Sequence, residues 1–278
     1  MKYLAVLFVS ILLIPTSSSY SFGSSLEPKA VAILYQQEEN ARAYTTMLQD
    51  FGFTCTLIHQ REYGKIESAP YDLVIVLSCC NTSIRSPGSF YVDFFDKIGD
   101  ARVLALGVPG GTLFGLKNLQ IQRDCAWHGS SQKRIIFPQS VLSGSFAAVL
   151  KSPHNLLGDG DEASIMVIPE SKEVYHSGIY DCGQFPEGTY GIGREEKDLH
   201  HWIICMQGNY VLWGFDSLHS QLTEEGKQLF TNLCVYLANL EPQELLHPTK
   251  NFLDVGTHRG TLKGGWRDKY YFKTDKPG

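Results

Sequence analysis

Short apolar runs alternate with helical spacings through the first half of this chain. Ala30 to Tyr35 is apolar and reads as a buried strand. Glu38 to Asp50 sets Ala41, Tyr44, Met47 and Leu48 on one helical face, and Gly52 supplies a stop. Phe53 to His59 is the next strand. Asp72 to Ser78 is a third, rich in β-branched residues and apolar on both faces. Phe90 to Ile98 has helical spacing, Arg102 to Leu106 is a fourth strand, and Thr112 to Leu119 suits a helix. Strands alternating with helices predict βαβ units and a parallel sheet covered on both sides.

The pattern changes near residue 120. Leu119 to Gln139 shows no clear period. Ser164 to Pro169 and Glu173 to Ser177 read as paired strands around Glu170-Ser171-Lys172. Thr189 to Gly193, His201 to Met206 and Tyr210 to Phe215 are further strands, the last two joined by a Gln207-Gly208-Asn209 turn. Thr223 opens a helix running to Leu240, with Leu229, Phe230, Leu233, Cys234 and Leu237 as its apolar stripe. The fold expected is α/β: a flavodoxin-like, doubly wound, mostly parallel sheet with a β-hairpin insertion in the C-terminal half.

The two ends differ from this body. Lys2 precedes an apolar stretch from Leu4 to Ile14, broken only by Ser10, and Pro15 and small residues follow. That run is shorter than the roughly 20 residues that span a bilayer. A cleaved signal peptide over 1–21 is expected, and with it a secreted or periplasmic protein with no later membrane span. The domain then occupies 28–241. From 242 to 278, Arg259, Lys263, Arg267, Lys269, Lys273 and Lys276 are interleaved with Trp266, Tyr270, Tyr271 and Phe272. This reads as an extension packed by its aromatics, with an anionic partner as the alternative. The net charge of −5 argues against nucleic acid.

Seven cysteines, an odd number, leave at least one unpaired or joined to another chain. Cys55, Cys205 and Cys234 lie in apolar segments and read as core; Cys125 and Cys182 lie in loops and suit disulfides. Cys79 and Cys80 directly follow the third strand, where the carboxyl ends of a doubly wound sheet form a crevice. A histidine nearby could activate such a thiol, and His128 and His219 are the loop candidates. Asn81-Thr82-Ser83 is a glycosylation sequon. Asp159, Asp161 and Glu162 lack the spacing of a calcium loop. His200 and His201 point to opposite faces of a strand and cannot easily share a metal. No metal site and no cofactor are expected. Gly110 to Lys117 lacks the ending of a phosphate loop.

The order of elements resembles the class I glutamine amidotransferase-like superfamily, which also holds the trehalose-utilisation type proteins, from about Ala30 to Leu240. Gly107-Val108-Pro109-Gly110-Gly111 is similar to the family's Gly-x-Cys-x-Gly elbow. Asp72 to Asn81 resembles the strand and loop on the oxyanion side. Tyr210 to Asp216 and the helix after Thr223 resemble the last strand, the histidine loop and the closing helix. The resemblance implies that Pro109 stands where the family has its cysteine and Asp216 where it has its histidine, with Ser217-Leu218 replacing the usual Pro-Glu. A thiolate and an imidazole are both required for that chemistry, so glutamine hydrolysis is expected to be absent. The expectation is a small-molecule or protein ligand bound by Ser78, Cys79, Pro109, Gly110, Gly111, Thr112 and Asp216. The alternative is a cysteine-dependent hydrolase or amidase using Cys79 or Cys80 with His128 or His219.

Overall fold

The computed structural model describes residues 28–80, 93–116, 119–121, 133–157, 163–180, 185, 188–196 and 198–241. The expectations for the signal peptide, the Asn81 sequon, Cys125, His128, the acidic turn at 159–162, Cys182 and the tail from 242 lie outside these residues.

The elements run β1 (Lys29–Tyr35), α1 (Glu38–Gln49), β2 (Phe53–His59), β3 (Leu73–Val76), α2 (Phe94–Lys97), β4 (Arg102–Leu106), α3 (Gly107–Leu116) and β5 (Arg134–Phe137). Then come α4 (Gln139–Leu142), α5 (Ala147–Lys151), β6 (Ala163–Met166), β7 (Tyr175–His176), β8 (Ile179–Tyr180) and β9 (Thr189–Glu195). The chain continues with β10 (His201–Gln207), β11 (Tyr210–Trp213), β12 (Phe215–Asp216) and α6 (Glu224–Ala238). The main sheet is ordered β2-β1-β3-β4-β11-β10-β9-β5-β6, with β8 paired to β10. Its first five strands are parallel. Their order is the flavodoxin-like 2-1-3-4-5, and the direction in which strands are added across the sheet reverses between β1 and β3. The remaining strands pair antiparallel and extend the sheet beyond β11.

Burial follows this plan. β3 is buried at every position and β4 at all but its first, as both faces of a parallel sheet require. α1 buries Asn40, Ala41, Tyr44 and Leu48. α6 buries Leu229, Phe230, Leu233, Cys234 and Leu237, the predicted stripe. Tyr44 and Phe230 meet with ring centroids 4.8 Å apart, and Phe230 lies 5.4 Å from Trp213. These rings join α1, α6 and β11 into one core. Thr223 caps α6 as its spacing predicts, its hydroxyl accepting from the Gly226 N–H at 2.9 Å. Among the described residues no helix is long and apolar enough to cross a membrane.

Two parts differ from the sequence expectation. α3 begins at Gly107 rather than Thr112. Glycine and proline weaken helices inside, but proline is tolerated in the first turn, where its missing N–H would have no helical partner. The hairpin expected around Glu170-Ser171-Lys172 does not form. β6 pairs instead with β5, and β7 pairs with β12. The side chain of Lys133 reaches the carbonyl oxygens of Glu170 and Lys172, and Val167 N–H donates to the Lys133 carbonyl at 2.7 Å. The turn is therefore anchored to the start of β5, a strand too short to show a period.

Candidate functional site

Over the carboxyl ends of β1, β3 and β4, where open α/β sheets form their ligand crevice, the turn after β11 is brought against the β4–α3 junction. At the β4–α3 junction Gly107 has φ +62°, a conformation that side chains other than glycine rarely adopt. A Cβ there would lie 2.8 Å from the Asp216 Cα and 3.2 Å from its carboxyl carbon. Gly107 thus does two things. It turns the strand directly into the helix, and it lets β12 close over that turn. The strained position is two residues before Pro109, so the elbow has its sharp bend at glycine.

Asp216 is half-buried in this contact, and the burial raises its carboxyl above the ordinary carboxylate range, with the Ser78 hydroxyl acting in the opposite direction. Ser78 is buried just beyond β3 and donates to the Ser217 carbonyl at 3.1 Å. Ser78, Gly107, Asp216 and Ser217 therefore converge. Pro109 sits in the first turn of α3 and offers no N–H. Gly110 is packed against β4, where an added Cβ would meet the Ala105 carbonyl carbon at 2.6 Å. Gly111 is buried, and the Thr112 hydroxyl is turned back onto the Val108 carbonyl at 3.0 Å. The glycine-rich turn consequently offers fewer donors than its composition suggests. The group facing it is a carboxylate, which favours a hydroxyl or amine over an anion.

Cys79 is half-buried at the point where the loops after β1 and β3 diverge. Its sulfur accepts from the Gln36 N–H at 3.5 Å, just before α1. A hydrogen bond from the Cys80 thiol, opposed by burial and aided by backbone N–H groups of Gln36, Gln37 and Cys79, lowers its pKa to about 6. The Cys80 thiol itself is buried, its sulfur 3.3 Å from the Leu34 carbonyl oxygen. His219 is held elsewhere. Its backbone N–H donates to Asn40 Oδ1 at 2.8 Å, and its ring lies edge-on to Tyr44 at 5.2 Å. Burial and the nearby Lys227 lower its pKa, which favours the neutral imidazole. Among the described residues, no hydrogen bond or ion pair joins Cys79 to His219.

Cys55, Cys79, Cys80, Cys205 and Cys234 are thiols rather than disulfides. Burial pushes Cys55 up to about 11 and raises Cys234 well above its ordinary value. At pH 7, iodoacetamide should therefore alkylate Cys79 before Cys55 or Cys234, as read by peptide mass spectrometry. Its labelling should fall as pH drops below about 6, where the thiolate is protonated. Labelling of Cys79 only above pH 8 would contradict this geometry.

A second group of chemically capable side chains is one that sequence spacing did not reveal. His176 on β7, Glu195 on β9 and His201 on β10 bring one ligand atom each within 4.8 Å of one another. All three are buried. His201 Nδ1 lies 2.9 Å from Glu195 Oε2, and His176 Nε2 lies 3.8 Å from the same oxygen. Burial alone would raise the Glu195 carboxyl; the two imidazoles hold it down to about 2 instead. His200, exposed on the other face, takes no part. Only the pairing of β7 with β12, and of β9 with β10, assembles the three.

No family model matches this chain, and no curated protein matches its sequence. Among solved structures it is similar to a glutamine amidotransferase from Thermotoga maritima, at 10% identity over 78% of this chain and 100% of that one, with a TM-score of 0.49. It is also similar to PurLQS from Thermotoga maritima, at 14% identity over 76% of this chain and 100% of that one, with a TM-score of 0.48. Likenesses this faint carry no argument, and the fold rests on its own strand order.

Proposed function

We propose that the chain is an exported, amidotransferase-like domain without glutaminase chemistry that binds a small hydroxyl- or amine-bearing ligand in the crevice over β3 and β4. The observation that carries this reading is the Asp216 carboxylate, held half-buried against Gly107 and beside Ser78. Burying a charged group costs free energy, and a fold keeps one in a crevice at a loss to stability where it serves recognition. The crevice also borders, at β3, the reversal point of the strand order, where ligands bind in open α/β sheets. Export is supported by the apolar N-terminal segment after Lys2. Pro109 and Asp216, where the resemblance implies cysteine and histidine, support the loss of glutamine hydrolysis.

A second reading, thiol chemistry at Cys79, is favoured by one observation, the lowered pKa of that thiol beside the Gln36 N–H. A general base in hydrogen-bond reach would strengthen it, and the His219 ring packs edge-on against Tyr44 of α1 instead.

One experiment separates the two. The mature protein is assayed for ammonia release from glutamine and from simple amides, and screened by thermal shift against monosaccharides, polyols and primary amines. No ammonia release together with a stabilising hydroxyl or amine compound is the expected result. Amide hydrolysis that disappears in Cys79→Ser would overturn the binding reading in favour of the thiol.

A further inference from the structure

We propose that His176, Glu195 and His201 form a binding site for one divalent transition-metal ion, best suited to zinc, that ties β7 to β9 and β10. Two imidazoles and one carboxylate are a ligand set that zinc accepts, at about 2.0–2.2 Å from each donor atom. Tetrahedral placement at such distances requires donor atoms roughly 3.3 Å apart. The two separations to Glu195 Oε2, 2.9 and 3.8 Å, bracket that value. The imidazole rings are 5.6 Å apart between centroids and inclined at 52°, and one nitrogen of each lies within 4.8 Å of the other and of the carboxylate oxygen.

The three buried donor atoms suit a cation. His201 Nδ1 is within hydrogen-bond distance of Glu195 Oε2, and His176 Nε2 stands 3.8 Å from the same oxygen. The Glu195 side chain is 9% exposed and each histidine 0%. An ion at the centre would be shielded from water and held by one carboxylate oxygen and two imidazole nitrogens. The three residues come from three strands, and His176 belongs to a two-residue strand whose other partner is β12. A metal here would pin that short strand to the main sheet. It would also fix β12, and with it Asp216 in the crevice, because Phe215 pairs with His176 and Asp216 with Tyr175.

The test uses the full mature chain, stripped of metal with a chelator and checked for native circular dichroism. Zinc is then titrated by calorimetry, and cobalt(II) is added as a visible-absorption probe of coordination. The expected result is uptake of one zinc per chain, a higher melting temperature with zinc, and a tetrahedral cobalt spectrum. His176→Gln, Glu195→Gln and His201→Gln should each weaken zinc binding by more than the roughly 10–100-fold that changes outside the ligand shell cost. The wild-type measurement does not depend on whether a variant folds. A natively folded wild type that takes up neither zinc nor cobalt would overturn the proposal and leave a purely hydrogen-bonded cluster. Undiminished zinc uptake by folded variants would also overturn it, by placing the metal elsewhere.

Discussion

Replacing Gly214 with alanine should lower folding stability by about 4 kcal/mol or more, at the severe end of single substitutions. Gly214 lies between β11 and β12, at the step where the chain leaves the main sheet to pair with β7. Its N–H donates to the Ile203 carbonyl and its carbonyl accepts from the Ser177 N–H, each at 2.8 Å. An added Cβ would fall 1.9 Å from the Ser177 carbonyl oxygen and 2.6 Å from that of Ile203. Both are backbone atoms in paired segments, so neither can swing aside as a flexible side chain would. Relief requires separating β12 from β7 or from β10, which breaks these hydrogen bonds. Overpacking of an ordinary core site costs typically 1–3 kcal/mol because side chains adjust; here they cannot. Urea denaturation of the variant against wild type measures the loss, and a change below about 1 kcal/mol would show that the crossing is not rigid.

Asp216→Asn should weaken ligand binding by roughly 10- to 100-fold, the loss of one hydrogen bond to a charged group, about 1.5–3 kcal/mol. It should leave stability at pH 7 unchanged or higher. Burial raises the Asp216 carboxyl in the folded state. The folded protein therefore disfavours the charged form, and this aspartate opposes folding once pH exceeds its ordinary pKa of 3.8. The opposition grows as pH rises from 3.8 to the raised value and is constant above it. The variant's gain should accordingly be present at pH 7 and vanish below the ordinary carboxylate range. Denaturation midpoints at pH 7 and near pH 3, with calorimetry of whichever screened compound stabilises the wild type, read both effects. Binding that survives Asp216→Asn intact would remove the crevice reading. A variant that loses both binding and stability would make Asp216 a structural residue.

Much of the fold was legible along the chain. β1, β3, β4 and α1 announce themselves because a strand buried on both faces must be apolar throughout, and an amphipathic helix must repeat its apolar residues at helical spacing. α6 is as plain, from Thr223 at its cap to the stripe through Leu237. The Gln207-Gly208-Asn209 turn is a local device, and Gly208 adopts φ +55° in the hairpin between β10 and β11. The sequence by itself therefore determined the flavodoxin-like half, the absence of a nucleophilic atom at Pro109, and the carboxylate at Asp216.

Tertiary structure decided the rest. Strands of two or four residues, such as β5, β7 and β12, bury too few side chains to impose a period. Their partners are chosen by contacts far away in sequence, such as Lys133 on the Glu170 turn. The bend beside Pro109 fell to Gly107 because Asp216, more than a hundred residues later, needs the space that a Cβ would fill. His176, Glu195 and His201 carry no motif, since three residues on three strands meet only through strand pairing. Local periodicity encodes which face of an element is buried. Which elements meet, and hence which polar groups converge, depends on long-range packing that no local spacing records.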